Sequence, residues 1–199
     1  MSMKRTLIGI GFVGDGPYKT RIDGSMTNAY IAWRDMIHRC YNPKLREKYN
    51  TYNDCMVDDR WHNFQNFAKW FSSSKFSERG YHLDKDLLVR GNKTYGPDNC
   101  CLLPPALNYL IRINRPNKQP LGKNPLIGAT IHQSSGRWRS TISKNGEKVY
   151  LGLFDKEIDA HLRYVEEKEQ FVREQAEFWR DNIENRAYEA LMRWRVTDD

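Results

Sequence analysis

Three prolines, Pro116, Pro120 and Pro125, fall in a stretch with neither helical nor strand periodicity, and they limit every fold open to this chain. Proline lacks the N–H that helix and sheet interiors both use, so residues 114–125 are expected to form an extended linker. Before it, apolar residues recur mainly at helical spacing; after it, they alternate. The 199 residues therefore divide into a domain over 1–113, a linker over 114–125 and a second domain over 126–199. Arg115, Lys118 and Lys123 give the linker a row of cations suited to a phosphate backbone.

Charge is distributed just as unevenly. Residues 1–154 hold 24 Lys and Arg against 12 Asp and Glu, net +12, whereas 155–199 hold 8 against 13, net −5. A basic body with an acidic end points to a polyanion met by the body alone. No apolar run approaches the roughly 18 residues that a membrane span needs. The opening Met1-Ser2-Met3-Lys4-Arg5 has no apolar leader, so a cytoplasmic protein without a membrane partner is expected. Cys40, Cys55, Cys100 and Cys101 show no Cys-x-x-Cys spacing; buried thiols are expected in preference to disulfides or zinc ligands.

In the first domain, Ser25 or Thr27 caps a helix running to about Cys40. Its Trp33, Met36, Ile37 and Cys40 fall at i, i+3, i+4 and i+7, one core-facing stripe. Residues 62–71 repeat the pattern with Phe64, Phe67, Ala68 and Phe71. The densest chemistry follows, in Tyr81-His82-Leu83-Asp84-Lys85-Asp86. Turns at Gly91-Asn92 and Gly96-Pro97-Asp98-Asn99 lead to Cys100-Cys101-Leu102-Leu103, and Pro104-Pro105 opens a helix to about Ile111. The pattern is strand, loop, strand, helix, with carboxylates at one strand end and amides across from them. Hard oxygen ligands of that kind suit magnesium or manganese. His82 points to the same side of its strand as Asp84.

On Asp84, Asn99 and Asn108 this segment resembles the ββα-metal core of HNH (His-Me finger) endonucleases of the phage homing type. The Trp33…Arg39-Cys40-Tyr41, Cys55 and Trp61…Phe64…Phe67 series ahead of it resembles the front half of the same proteins. The resemblance implies a metal-dependent DNA endonuclease. In it Asp84 and Asn108 bind a divalent magnesium or manganese, Asn99 braces the loop, and Lys85 or His82 contacts the phosphate or acts as base. Lys85 stands where the family has its general-base histidine. An ordinary lysine, with a pKa of about 10.4, is charged at neutral pH and takes no proton from water. His82 is the substitute imidazole.

Beyond the linker, strands are expected over 127–132, 137–142 and 148–154, with Asn145-Gly146 as a two-residue hairpin turn and a helix from about Asp155. Alternation puts Arg137, Arg139 and Thr141 on one face, polar and cationic and expected to reach DNA phosphates and guanine edges, and Trp138, Ser140 and Ile142 on the other, against the helix. Ile127-Gly128-Ala129, Gly136-Arg137-Trp138-Arg139 and Tyr150-Leu151-Gly152-Leu153-Phe154 resemble the DNA-binding domain of plant ethylene-response factors, the APETALA family. That resemblance implies a sheet in the major groove of double-stranded DNA, with Thr130, Arg139, Thr141, Lys148 and Tyr150 on or near the contacting surface. Tyr150 replaces the family's tryptophan, and several family arginines are Thr or Ser here.

Apolar residues from Ile158 to Trp194 keep a nearly helical spacing. Such a helix either breaks near Asp181-Asn182 and folds back on the first domain, or presents Phe178, Trp179 and Trp194 to a host or phage protein. The expected class is α+β: an HNH-like ββα-metal domain with helical elements, then a three-stranded antiparallel sheet packed on a long C-terminal helix. Three functions fit: a DNA endonuclease, a DNA-binding protein on a non-cutting nuclease fold, and a protein-interaction module.

Overall fold

The computed structural model describes residues 7–49, 54–112 and 126–196. The linker, and with it Arg115, Lys118 and Lys123, lies outside the described residues. The chain is mixed α+β and forms two compact units. Met1–Asn108 and Arg180–Ala190 make the first; Tyr109–Trp179 and Leu191–Asp199 make the second.

The first unit begins with the short pair β1 (Arg21–Ile22) and β2 (Ser25–Met26), then α1 (Asn28–Tyr41) and α2 (Pro43–Lys48). Thr27 caps α1 by accepting from the Tyr30 N–H, and the expected stripe of Trp33, Met36, Ile37 and Cys40 is buried. After β3 (Met56–Val57) comes α3 (Phe64–Ser73), capped by Asn63 and burying Phe64, Phe67, Ala68 and Phe71. The two helices close on an aromatic core. Trp61 meets Phe67 edge-on at 4.9 Å, and Trp33 gives its indole N–H to the Trp61 carbonyl at 2.7 Å, which removes the cost of burying that donor. All four cysteines are buried and none is disulfide-bonded among the described residues, and burial pushes the Cys40 and Cys100 thiols up to about 12.

The hairpin expected around Asp84 is present. β4 (His82–Asp84) precedes β5 (Thr94–Tyr95), which pairs in parallel with β3. β6 (Cys101–Leu103) lies antiparallel to β4, and α4 (Pro105–Leu110) follows. The register is His82 opposite Leu103, Leu83 opposite Leu102 and Asp84 opposite Cys101. Leu83 and Leu102 sink into the aromatic core. Alternation therefore turns His82 and Asp84 together to the other face.

In the second unit β7 (Ala129–Ile131), β8 (Trp138–Lys144) and β9 (Glu147–Phe154) form one antiparallel sheet in that order. Asn145 and Gly146 both take positive φ, 52° and 86°, the geometry of a type I′ turn. The sheet packs on α5 (Glu157–Trp179), with Ala129, Ser140 and Ile142 buried. Gly128 has φ 81°, and a Cβ there would overlap the Tyr164 ring, so only glycine fits. His161 bonds the Ile127 carbonyl at 2.8 Å and ties the start of the sheet to the helix.

Of the two expectations for the C-terminal helix, the break near Asp181-Asn182 is the one found: the long helix stops at Trp179, so the second unit is not the unbroken 126–199. A 3-10 turn over Arg180–Asn182 and then α6 (Asn185–Met192) follow, and residues 180–190 belong to the first unit. The break is fixed by contacts with residues far away in the sequence. Asn182 accepts from Arg79 at 2.6 Å through Oδ1 and from the Tyr81 hydroxyl at 2.9 Å through its carbonyl, while Ile183 and Ala187 are buried. Phe178 stays 74% exposed. Among the described residues no helix is long and apolar enough to cross a membrane.

Candidate functional site

Asp84 ends β4, and its Oδ1 accepts from the backbone N–H of Asp86 at 3.0 Å and of Leu87 at 2.8 Å. One oxygen thus folds the loop, and Oδ2 makes no hydrogen bond among the described residues. Burial raises this carboxyl above its ordinary 3.8; the Leu87 N–H opposes the rise and the neighbouring Asp86 adds to it. One strand pitch away on the same face is His82. Its Nδ1 lies 3.2 Å from Nδ2 of Asn108, carried in by α4. Imidazole nitrogen, carboxylate oxygen and amide oxygen thus come from one hairpin and its following helix. Among the described residues no three His, Cys, Asp or Glu side chains group to hold a metal. Asp84 and Asn108 are the oxygen-bearing side chains on this part of the hairpin and helix, and oxygen donors are the kind a hard cation takes.

Lys85 sits elsewhere. Expected at the phosphate, it is only 7% exposed, and its ammonium is held by Asp86 at 2.5 Å and the Asn92 carbonyl at 2.9 Å, with the core ring of Tyr95 at 5.8 Å. One residue past Asp84, alternation has turned it inward, where it fastens the loop from within. Asn99 reaches the same loop, its Nδ2 lying 3.4 Å from Asn92 Oδ1. The central residue of this network is Asn92, which sequence inspection placed only in a turn. Its Nδ2 donates to the carbonyls of Lys85 at 2.8 Å and Thr94 at 2.7 Å, and its Oδ1 accepts from the Thr94 N–H at 3.0 Å. The Gly91-Asn92 pair was the available signal.

On the sheet, cross-strand register places Thr130 beside Arg139 and Thr141 beside Tyr150, with Lys148 opposite Ser143. Directly opposed residues share a face, so Thr130, Arg139, Thr141, Lys148 and Tyr150 stand together, away from α5. Tyr150 is 59% exposed. Ser143 and Leu153 belong to the same face and were missed; each follows from the register with its neighbour. Arg137 departs from expectation. It precedes β8 and gives its Nε to Asp155 at 2.8 Å and its Nη2 to the Leu153 carbonyl at 3.3 Å, so its charge is already met.

Compared with known proteins, the chain matches no family model, no curated protein and no solved structure.

Proposed function

We propose that this protein binds double-stranded DNA and hydrolyses its phosphodiesters with magnesium or manganese, as an HNH-type endonuclease of phage or mobile-element origin. The observation that carries this reading is the placement of His82 against Asn108 on the strand face that also bears Asp84. Asp84, through Oδ2, and Asn108, through its amide oxygen, would hold the cation. Bound there, magnesium or manganese would neutralise charge at the phosphate and acidify water. The Asn108 amide, whose nitrogen lies 3.2 Å from Nδ1, would rotate by half a turn so that its oxygen accepts Nδ1–H. His82 Nε2 is then unprotonated and takes the proton from the attacking water. Lys85 acts on the loop and not on the substrate. Thr130, Arg139, Thr141, Lys148 and Tyr150 meet the duplex, the cations on phosphates and the aromatic and hydroxyl groups in the groove.

Supercoiled plasmid nicking with magnesium or manganese tests this. Wild type is expected to nick, while His82→Gln and Asp84→Asn lose nicking and still retard DNA in a salt-dependent way. If wild type fails to nick with either metal, hydrolysis is excluded; salt-dependent retardation alone would leave a DNA-binding protein that does not cut.

A further inference from the structure

We infer that Arg186, delivered by the segment that re-enters the first unit after the second, is a positioning residue for the Asp84–His82 hairpin. This deepens the proposed function and rests on its reading of the hairpin as a metal site. Two grips on the hairpin come from residues 180–190. Tyr81, the residue just before β4, gives its hydroxyl to the Asn182 carbonyl at 2.9 Å, and Arg79 bonds Asn182 Oδ1 at 2.6 Å. Cys100, the residue just before β6, receives Arg186 Nη2 on its carbonyl at 2.7 Å. Because β4 and β6 run antiparallel, these grips fall at opposite ends of the hairpin, one beside His82 and one beside Asp84.

Arg186 is itself aimed by Glu184, which takes its Nε at 2.7 Å, while Nη1 reaches toward the Pro97 carbonyl at 3.5 Å. A guanidinium spans such a fork; an ammonium offers a point charge and reaches one acceptor. A carboxylate and an imidazole that must share one cation and one water tolerate little play between strands. Supports of this kind typically change metal affinity by about 10- to 100-fold. Sequence order hides the brace, because the candidate ligands all lie before residue 109 and Arg186 lies between the two segments of the second unit.

The test uses the full chain with Arg186→Ala, Arg186→Lys and, as a gentler second variant, Tyr81→Phe. Two readouts are taken: the manganese concentration for half-maximal nicking, and hydrogen-exchange protection of the amides in 82–84 and 101–103. Arg186→Ala is expected to raise the manganese requirement about tenfold with little change in rate at saturating metal, and to lower hairpin protection. Arg186→Lys recovers part of both, and Tyr81→Phe shifts both in the same direction by a smaller factor. Arg163→Ala, which breaks an ion pair on α5, leaves both unchanged. If Arg186→Ala keeps wild-type protection and metal requirement, the inference falls. If Arg186→Ala does not fold, Tyr81→Phe decides by the same criteria. Wild-type protein that neither nicks nor binds manganese overturns the metal-site reading, while the exchange measurement still decides whether the brace exists.

Discussion

Replacing Asp84 by asparagine separates the two roles this carboxylate combines. Asparagine keeps an Oδ1 that can accept from the Asp86 and Leu87 N–H groups, but it removes the charge a cation needs. Burial lifts the Asp84 pKa above 3.8, so the folded protein holds this proton more tightly than the unfolded chain. Its contribution to stability is therefore complete below the ordinary carboxyl range and declines as pH rises through the folded pKa. Asparagine has no such proton to lose, and at pH 7 Asp84→Asn is expected to melt at or above the wild-type temperature. Asp84→Ala also relieves the buried charge but leaves two loop N–H groups without their acceptor. At about 0.5–1.5 kcal/mol for each hydrogen bond, that variant loses about 2 kcal/mol. For a chain of this size the loss is roughly 4–8 °C in Tm. Scanning calorimetry from pH 3 to 8 and manganese titration calorimetry measure the two properties independently. Two results would refute the reasoning: Asp84→Asn as destabilised at pH 7 as Asp84→Ala, or Asp84→Asn binding manganese as tightly as wild type.

Gly128→Ala places a Cβ into the Tyr164 ring at φ 81° and is expected to cost the second unit about 3 kcal/mol in guanidinium unfolding; a loss under about 1 kcal/mol would contradict the packing described. Arg139→Ala and Lys148→Ala are each expected to lower the slope of log affinity against log salt by about 0.9 in DNA retardation, and an unchanged slope removes that residue from the phosphate contacts. Burial lowers Lys168 to about 8, against 10.5 for an ordinary lysine. Between those values the unfolded chain binds more protons, so wild-type stability rises with pH there. Lys168→Met is expected to be the more stable protein at pH 7, with the gap narrowing towards pH 10.5; parallel pH profiles would disprove the burial cost.

Local pattern was enough for the elements whose cause is local. The i, i+3, i+4, i+7 stripe of Trp33, Met36, Ile37 and Cys40 became the buried face of α1, and Thr27 became its cap. Asn145-Gly146 became the type I′ turn, and period-two alternation assembled Thr130, Arg139, Thr141, Lys148 and Tyr150 on one side of a sheet. In each case a few neighbouring dihedrals and one apolar face settle the outcome, and both are written in adjacent residues. The hairpin carrying His82 and Asp84 was legible for the same reason.

Partner choice was not legible. Nothing in the order of residues says that Lys85 would spend its charge on Asp86 and the Asn92 carbonyl, or that Arg137 would turn to Asp155. Nor does it select the parallel pairing of β3 with β5, or the return of residues 180–190 to Arg79, Tyr81 and Cys100. Such contacts join segments far apart in the chain, and each forms only once cores have set which surfaces meet. Periodicity, caps and turn residues determined the pieces and the direction each side chain takes from its own strand or helix. Tertiary packing alone decided which charge answers which, because a buried ion or N–H accepts whatever partner the completed fold brings within bonding distance.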